Sequence, residues 1–223
     1  MDGEEMNTLS SILTGRKSGI KLRPSFYERN DVIQIARELL GMHLITMKDG
    51  IKSGGIITET EAYKGVTDRA SHAFGGRRTA RTEIMYSSGG SAYVYLCYGI
   101  HSLFNIVTNK KDVPHAVLVR ALYPTDGVEE MQARRKSSAS LDKLCSGPGM
   151  VSQALGIHYS DSGKKLDENE IWIEDRGLRL PAHFIKRGPR IGVDYAGKDA
   201  LLAYRFRIPH TTLRKLLYGL ASA

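Results

Sequence analysis

The chain has 223 residues, 41% hydrophobic and 25% charged, with 32 lysines and arginines against 24 acidic residues and a net charge of +8. That is enough for one core-bearing domain. No run approaches the roughly 18 consecutive apolar residues of a membrane helix, which excludes such a span, and the positive balance favours a polyanionic partner. Two cysteines, Cys97 and Cys145, are too few for a disulfide framework or a structural zinc site. The opening Met-Asp-Gly-Glu-Glu reads as neither a secretory signal nor a transit peptide. The expected setting is therefore reducing, bacterial cytoplasm or nucleus, and not secreted.

Residues 1–23, mixed and rich in Ser, Thr, Lys and Gly, read as a mobile tail, with one domain over 24–223. Asp31 with Gln34 fits a capping box, Val32, Ile35, Ala36 and Leu39 recur at helical spacing, and Gly41 suits a stop, so a helix is expected over about 32–40. A strand over 43–47 leads through Lys48-Asp49-Gly50, a hairpin turn signal, into a second strand over about 55–63. Its alternation puts Ile57, Glu59, Glu61 and Tyr63 on one face. After a loop rich in glycine and arginine, residues 92–98 and 103–108 form β patterns interrupted by Gly99, so Tyr98 and Gly99 belong at or near a hairpin tip. A strand over 116–122 carries Arg120 in an apolar run, residues 127–135 read as a helix, and Ser146-Gly-Pro-Gly149 leads into an amphipathic segment. Further strands are expected at 171–173, 190–193 and 204–208, then a short basic helix. The pattern is α+β in a single mixed domain, with no internal repeat and no linker.

A carboxylate at a strand end beside apolar and aromatic residues is poorly solvated and suited to take a proton from water. Glu61 fits that description, although an exposed salt bridge to one of the many arginines is the commoner use of a glutamate. Strand parity alone does not choose between Glu59 and Glu61. Tyr63, Tyr93, Tyr95 and Tyr98 form an aromatic set of the kind that holds an extrahelical base and fills the gap it leaves, or equally a set that packs a core. Arg120 must be paired or face a polar cavity, with Glu61, Glu59 or a phosphate as its partner. Asn105 sits alone in an apolar strand, where a satisfied core hydrogen bond is the ordinary explanation. His72 has a base edge, a phosphate or a loop to contact, and Arg77, Arg78 and Arg81 suit phosphates or a solvated basic loop. Seven histidines without metal-binding spacing imply no metal.

Taken in order, Glu59-Thr-Glu-Ala-Tyr63, His72, Gly76-Arg-Arg-Thr-Ala-Arg81, Tyr93-Val-Tyr-Leu-Cys-Tyr98-Gly99, Asn105, Val117-Leu-Val-Arg-Ala121, Ser146-Gly-Pro148 and Arg190-Ile-Gly-Val193 resemble the alkyladenine (3-methyladenine or methylpurine) DNA glycosylase family. The resemblance spans about Pro24 to Ile208. It implies a curved antiparallel sheet with a protruding hairpin. It also implies hydrolysis of the N-glycosidic bond of 3-methyladenine, 7-methylguanine, hypoxanthine or ethenoadenine flipped out of duplex DNA, leaving an abasic site. Glu61 would be the base that activates water, with Arg120 orienting it. Tyr63 and Tyr95 would sandwich the purine, His72 would hydrogen-bond to it, and Asn105 would crowd the amino group of guanine. Tyr98 would fill the duplex gap. Arg77, Arg78, Arg81, Tyr93, Ile191 and Gly192 would approach the DNA backbone. Gly99-Ile-His101 departs from animal members of the family.

No lysine joins Glu61 and Arg120 to form a Schiff base, so no strand cleavage is expected. A monomer acting on double-stranded DNA, without cofactor or membrane, is the expected state. Rival readings are a damage-sensing binder without catalysis, an RNA-binding or RNA-modifying domain, and a nucleoside hydrolase, which would show little salt dependence.

Overall fold

A computed structural model describes residues 19–218. The expected reading of residues 1–18 as a tail lies outside the described residues. Ile20–Lys21 (β1) already pairs with Ile171–Asp175 (β7), so ordered structure begins before Pro24. Pro24–Tyr27 (α1) is one turn, and Val32–Glu38 (α2) is capped by Asp31, whose carboxylate accepts from the Ile33 and Gln34 amides. The reciprocal half of the expected capping box is missing, because the Gln34 side chain donates to Glu38. The helix ends two residues early, and Gly41 follows with φ +86°.

His43–Lys48 (β2) turns at Asp49 and Gly50, both at positive φ, into Ile51–Tyr63 (β3). A two-residue turn forces pairing to resume at once, which is why β3 begins at Ile51 and not near Gly55. Ala92–Cys97 (β4) and His101–Thr108 (β5) make the expected hairpin, and His115–Asp126 (β6) follows. Val128–Arg135 (α3), Leu141–Leu144 (α4) and Pro148–Leu155 (α5) precede β7. Lys186–Gly188 (β8), Arg205–Arg207 (β9) and His210–Tyr218 (α6) complete the described chain. All pairings are antiparallel, in the order β1-β7-β2-β3-β6-β5-β4, with β9 joining both β3 and β8. Residues 190–193 form no strand.

The sheet's two faces have different occupants. Ala62, Val94, Phe104, Ile106, Val117 and Val119 pack with Ile35 and Ala36 of α2, with Leu39 just past its end, and with Val151, Ala154 and Leu155 of α5 in the principal core. Each Val, Leu, Ile or Phe side chain among them contributes roughly 1.5–3 kcal/mol when fully buried. The alternate residues Tyr93, Val107 and Ala116 face the other way, under Ala73, Met85 and Tyr86. Ile57 departs from the expected alternation and joins Ile56 in the principal core. The cause is a double irregularity: the β3–β6 register skips Thr58 on one strand and Arg120 on the other. Past this bulge, Glu61 and Tyr63 project on the face away from the helices, where the loops lie.

Candidate active site

Glu61 is fully buried, at 0% exposure. Its Oε1 accepts from the Ile191 amide at 2.8 Å, and its Oε2 accepts from the Tyr63 hydroxyl at 2.8 Å and from Arg120 at 3.3 Å. Burial raises its pKa, partly offset by Arg120, the Ile191 N–H and the Tyr63 hydroxyl. Arg120 also donates to Glu59 at 3.1 Å, and Arg205 of β9 approaches the same carboxylate at 3.7 Å. The bulge thus places one guanidinium across both acidic residues, and Glu59, with 20% of its side chain exposed, is the more solvated of the two.

Beside this cluster lies a cavity of about 220 Å³, smaller than the roughly 300–1,000 Å³ of drug-sized ligand sites. Tyr63, His72, Tyr95, Asn105, Arg120 and Ile191 are among its walls. The His72 and Tyr95 rings meet edge to face, with centroids 4.7 Å apart. His72 Nδ1 shares a 2.8 Å hydrogen bond with the Tyr93 hydroxyl. Burial, then Arg81 and Arg77, push the His72 pKa down to about 4, so the imidazole is neutral near pH 7. Asn105 is immobilised by its amide N–H groups, which donate to the carbonyls of Tyr93 and Leu103, both at 3.2 Å. Only its carbonyl oxygen is left to offer.

Tyr93 lines the same cavity, with its side chain 2% exposed and its hydroxyl engaged by His72. Arg78 is solvent-facing but held by Glu83 at 2.7 Å and Asp112 at 2.9 Å, stacked on Tyr86. Arg77 is exposed. Arg81 lies 4.9 Å from the Tyr95 centroid and donates to His72 Nε2 at 3.4 Å, next to the cavity. Ile191 is half exposed, and Gly192 has φ +73° with open space beyond its Cα.

Tyr98 stands at the β4–β5 tip, 93% exposed and at φ +52°, followed by Gly99 at φ +72° and exposed Ile100. The left-handed backbone turns the chain tightly enough to aim the phenol outward, at a cost of roughly 1–2 kcal/mol for a non-glycine residue. The hairpin is braced from below: Pro148 of α5 lines the cavity, and a Cβ on Gly149 would come within 3.1 Å of the His101 ring.

Three features escape a sequence reading. The Ile191 amide holds Glu61 from a segment that reads as a strand. Buried Arg190 pairs with Asp68, at a separation of 122 residues. Tyr195 lines the cavity and donates to the Ala70 carbonyl at 3.2 Å. The only hint of the second is an arginine in an apolar stretch, which obliges a partner without naming it.

The family model for methylpurine-DNA glycosylase matches residues 25–212. Proteins named "Putative 3-methyladenine DNA glycosylase" from Bacillus cereus (strain G9842) and Bacillus cytotoxicus are 44% and 42% identical to this chain. The first covers 82% of this chain and 93% of its own length, the second 84% and 95%. No helix among the described residues is long and apolar enough to cross a membrane. With a buried carboxylate beside an aromatic cavity, and with these similarities over most of its length, the chain belongs to the methylpurine-DNA glycosylase family of DNA repair hydrolases.

Proposed function

We propose that the protein extracts an alkylated or deaminated purine from double-stranded DNA and hydrolyses its N-glycosidic bond, with Glu61 as the base that activates water. The observation that carries this reading is the Glu61 carboxylate, wholly buried yet fixed by three donors beside a cavity of nucleobase scale. A pure DNA binder has no use for such a group, since a carboxylate near phosphate repels it. Tyr63 and Tyr95 supply aromatic faces for the base, and neutral His72 supplies a hydrogen bond to it once its Nε2 is released by Arg81. Asn105, clamped by two carbonyls, crowds the exocyclic amino group of normal guanine. Tyr98 occupies the gap in the duplex, and Arg77, Arg78, Arg81 and the Ile191–Gly192 turn approach the phosphates.

The chemistry separates lesions by leaving group. A 3-methyladenine or 7-methylguanine base already carries positive charge and departs readily. Neutral hypoxanthine and ethenoadenine need protonation as they leave, which demands more of the site. Attack by water yields a free base and an abasic sugar. Among the described residues no lysine lines the cavity, consistent with hydrolysis and not with an imine-linked lyase. A monomer is the expected acting form.

Glu61→Gln should lose excision of hypoxanthine by about 10²-fold or more while still binding duplex DNA that carries an abasic-site analogue. Wild-type excision by this variant would remove Glu61 from its role. A borohydride-trapped protein–DNA adduct would overturn the hydrolytic route.

A further inference from the structure

The Asp68 and Arg190 side chains are buried together against the back of the Glu61 cluster, at 1% and 0% exposure. Arg190 grips Asp68 with both terminal nitrogens and also donates to the carbonyls of Ala62 at 2.9 Å and Asp199 at 3.1 Å. Its guanidinium lies 4.8 Å from the Tyr63 ring centroid, over the ring whose hydroxyl donates to Glu61. The next residue along the chain is Ile191, whose amide donates to the other oxygen of Glu61. Asp68 in turn accepts from the amides of Lys64, just past the end of β3, and Ala70, two residues before His72.

One ion pair therefore touches the platform ring, the carboxylate's backbone donor and the base of the His72 loop. Burying two charges is rarely stabilising in itself, since desolvation offsets much of the attraction. What the pair does supply is fixed geometry through a planar, two-pronged contact. We infer that the Asp68–Arg190 pair is a positioning device for Glu61, holding the Ile191 amide and the Tyr63 hydroxyl where they grip the carboxylate. Neither residue touches the cavity where a base would sit.

The groups facing Glu61 are Glu59 and Tyr63 from β3, Arg120 from β6, and Arg190 and Tyr195 from the 190–195 segment; Arg205 of β9 reaches Glu59. The Ile191 N–H is one of the contacts that favour the ionised carboxylate. Loosening it leaves burial less opposed, so the acid limb of the reaction should move to higher pH.

The inference rests on Glu61 as the base, and the test keeps the two apart. Single-turnover excision of hypoxanthine from a duplex is followed against pH for the wild type, Glu61→Gln, Asp68→Asn and Arg190→Lys. The folded fraction is counted by titration with duplex carrying an abasic-site analogue. Arg190→Lys, which keeps the cation but not the fork, should move the acid limb up by about one pH unit, tenfold in the ionised fraction below it, with abasic-site binding retained. Asp68→Asn should move it up less, because the freed Arg190 charge opposes the rise. If Arg190→Lys does not bind the abasic duplex, Asp68→Glu, which retains the pair one methylene displaced, must show the shift instead. A wild-type acid limb in these variants, whatever their plateau rates, overturns the positioning role while Glu61→Gln remains inactive. Normal excision by Glu61→Gln overturns the underlying base assignment.

Discussion

Burial pushes the Glu61 carboxyl above its usual range, while Arg120, Ile191 and Tyr63 pull it back without cancelling the rise. A base must be ionised to take a proton, so excision of a neutral lesion should fall on the acid side at a pH above the ordinary carboxylate value of about 4.3. A rate profile with no loss until well below that value would contradict this. The linkage has the opposite sign for folding. Because the folded-state pKa is raised, protonating Glu61 stabilises the fold on acidification, so the ionised form required by the chemistry is the one the fold resists. Tyr98 has a similar double character. Tyr98→Gly should leave thermal stability unchanged or raise it by up to about 1 kcal/mol, by relieving the left-handed backbone, yet slow excision from duplex DNA. Retained duplex activity would remove Tyr98 as the wedge.

At the scale of elements, the site depends on the crossing of β3 with its neighbours, and two glycines permit it. A Cβ on Gly55 would lie 2.5 Å from the Tyr123 carbonyl oxygen across the β3–β6 ladder, and one on Gly54 would lie 2.3 Å from Ile45 Cδ1. A backbone oxygen cannot swing aside as a methyl can. Gly55→Ala is therefore expected to destabilise by roughly 1–3 kcal/mol, read as a lower urea midpoint, and an unchanged midpoint would mean the ladder yields. These elements also show what a sequence discloses. The α2 cap, the β2–β3 turn and the β4–β5 hairpin are all legible, because each is set by residues within a few positions of one another. The Thr58 and Arg120 bulge is not, since two strands 60 residues apart decide it together. Strand parity consequently placed Ile57 on the wrong face while placing Glu61 and Tyr63 together. The Ile191 amide is invisible for a deeper reason: every residue but proline has one, and only the fold selects which one meets a carboxylate.

For the whole molecule, a second histidine with a pKa as low as that of His72 lies away from the site. His43 is fully buried, neither ring nitrogen has a hydrogen-bond partner, and burial followed by Arg176 lowers its pKa to about 4. Between about pH 6.5 and 4 the unfolded chain binds a proton there and the folded chain does not, so stability falls as pH drops through that window. The loss is on the order of 3 kcal/mol. His43→Leu should flatten that slope, as measured by urea denaturation at several pH values; an unaltered slope would place the sensitivity elsewhere.

The β3 edge opposite β6 is shared, with residues 51–56 pairing to β2 and residues 59–61 pairing to β9. The first partner is made immediately before β3, whereas the second emerges from the ribosome some 140 residues later. Until then the stretch bearing Glu59 and Glu61 is an open strand edge, able to recruit the wrong chain. Fragments ending before Arg205 should accumulate as aggregates rather than as weak enzymes.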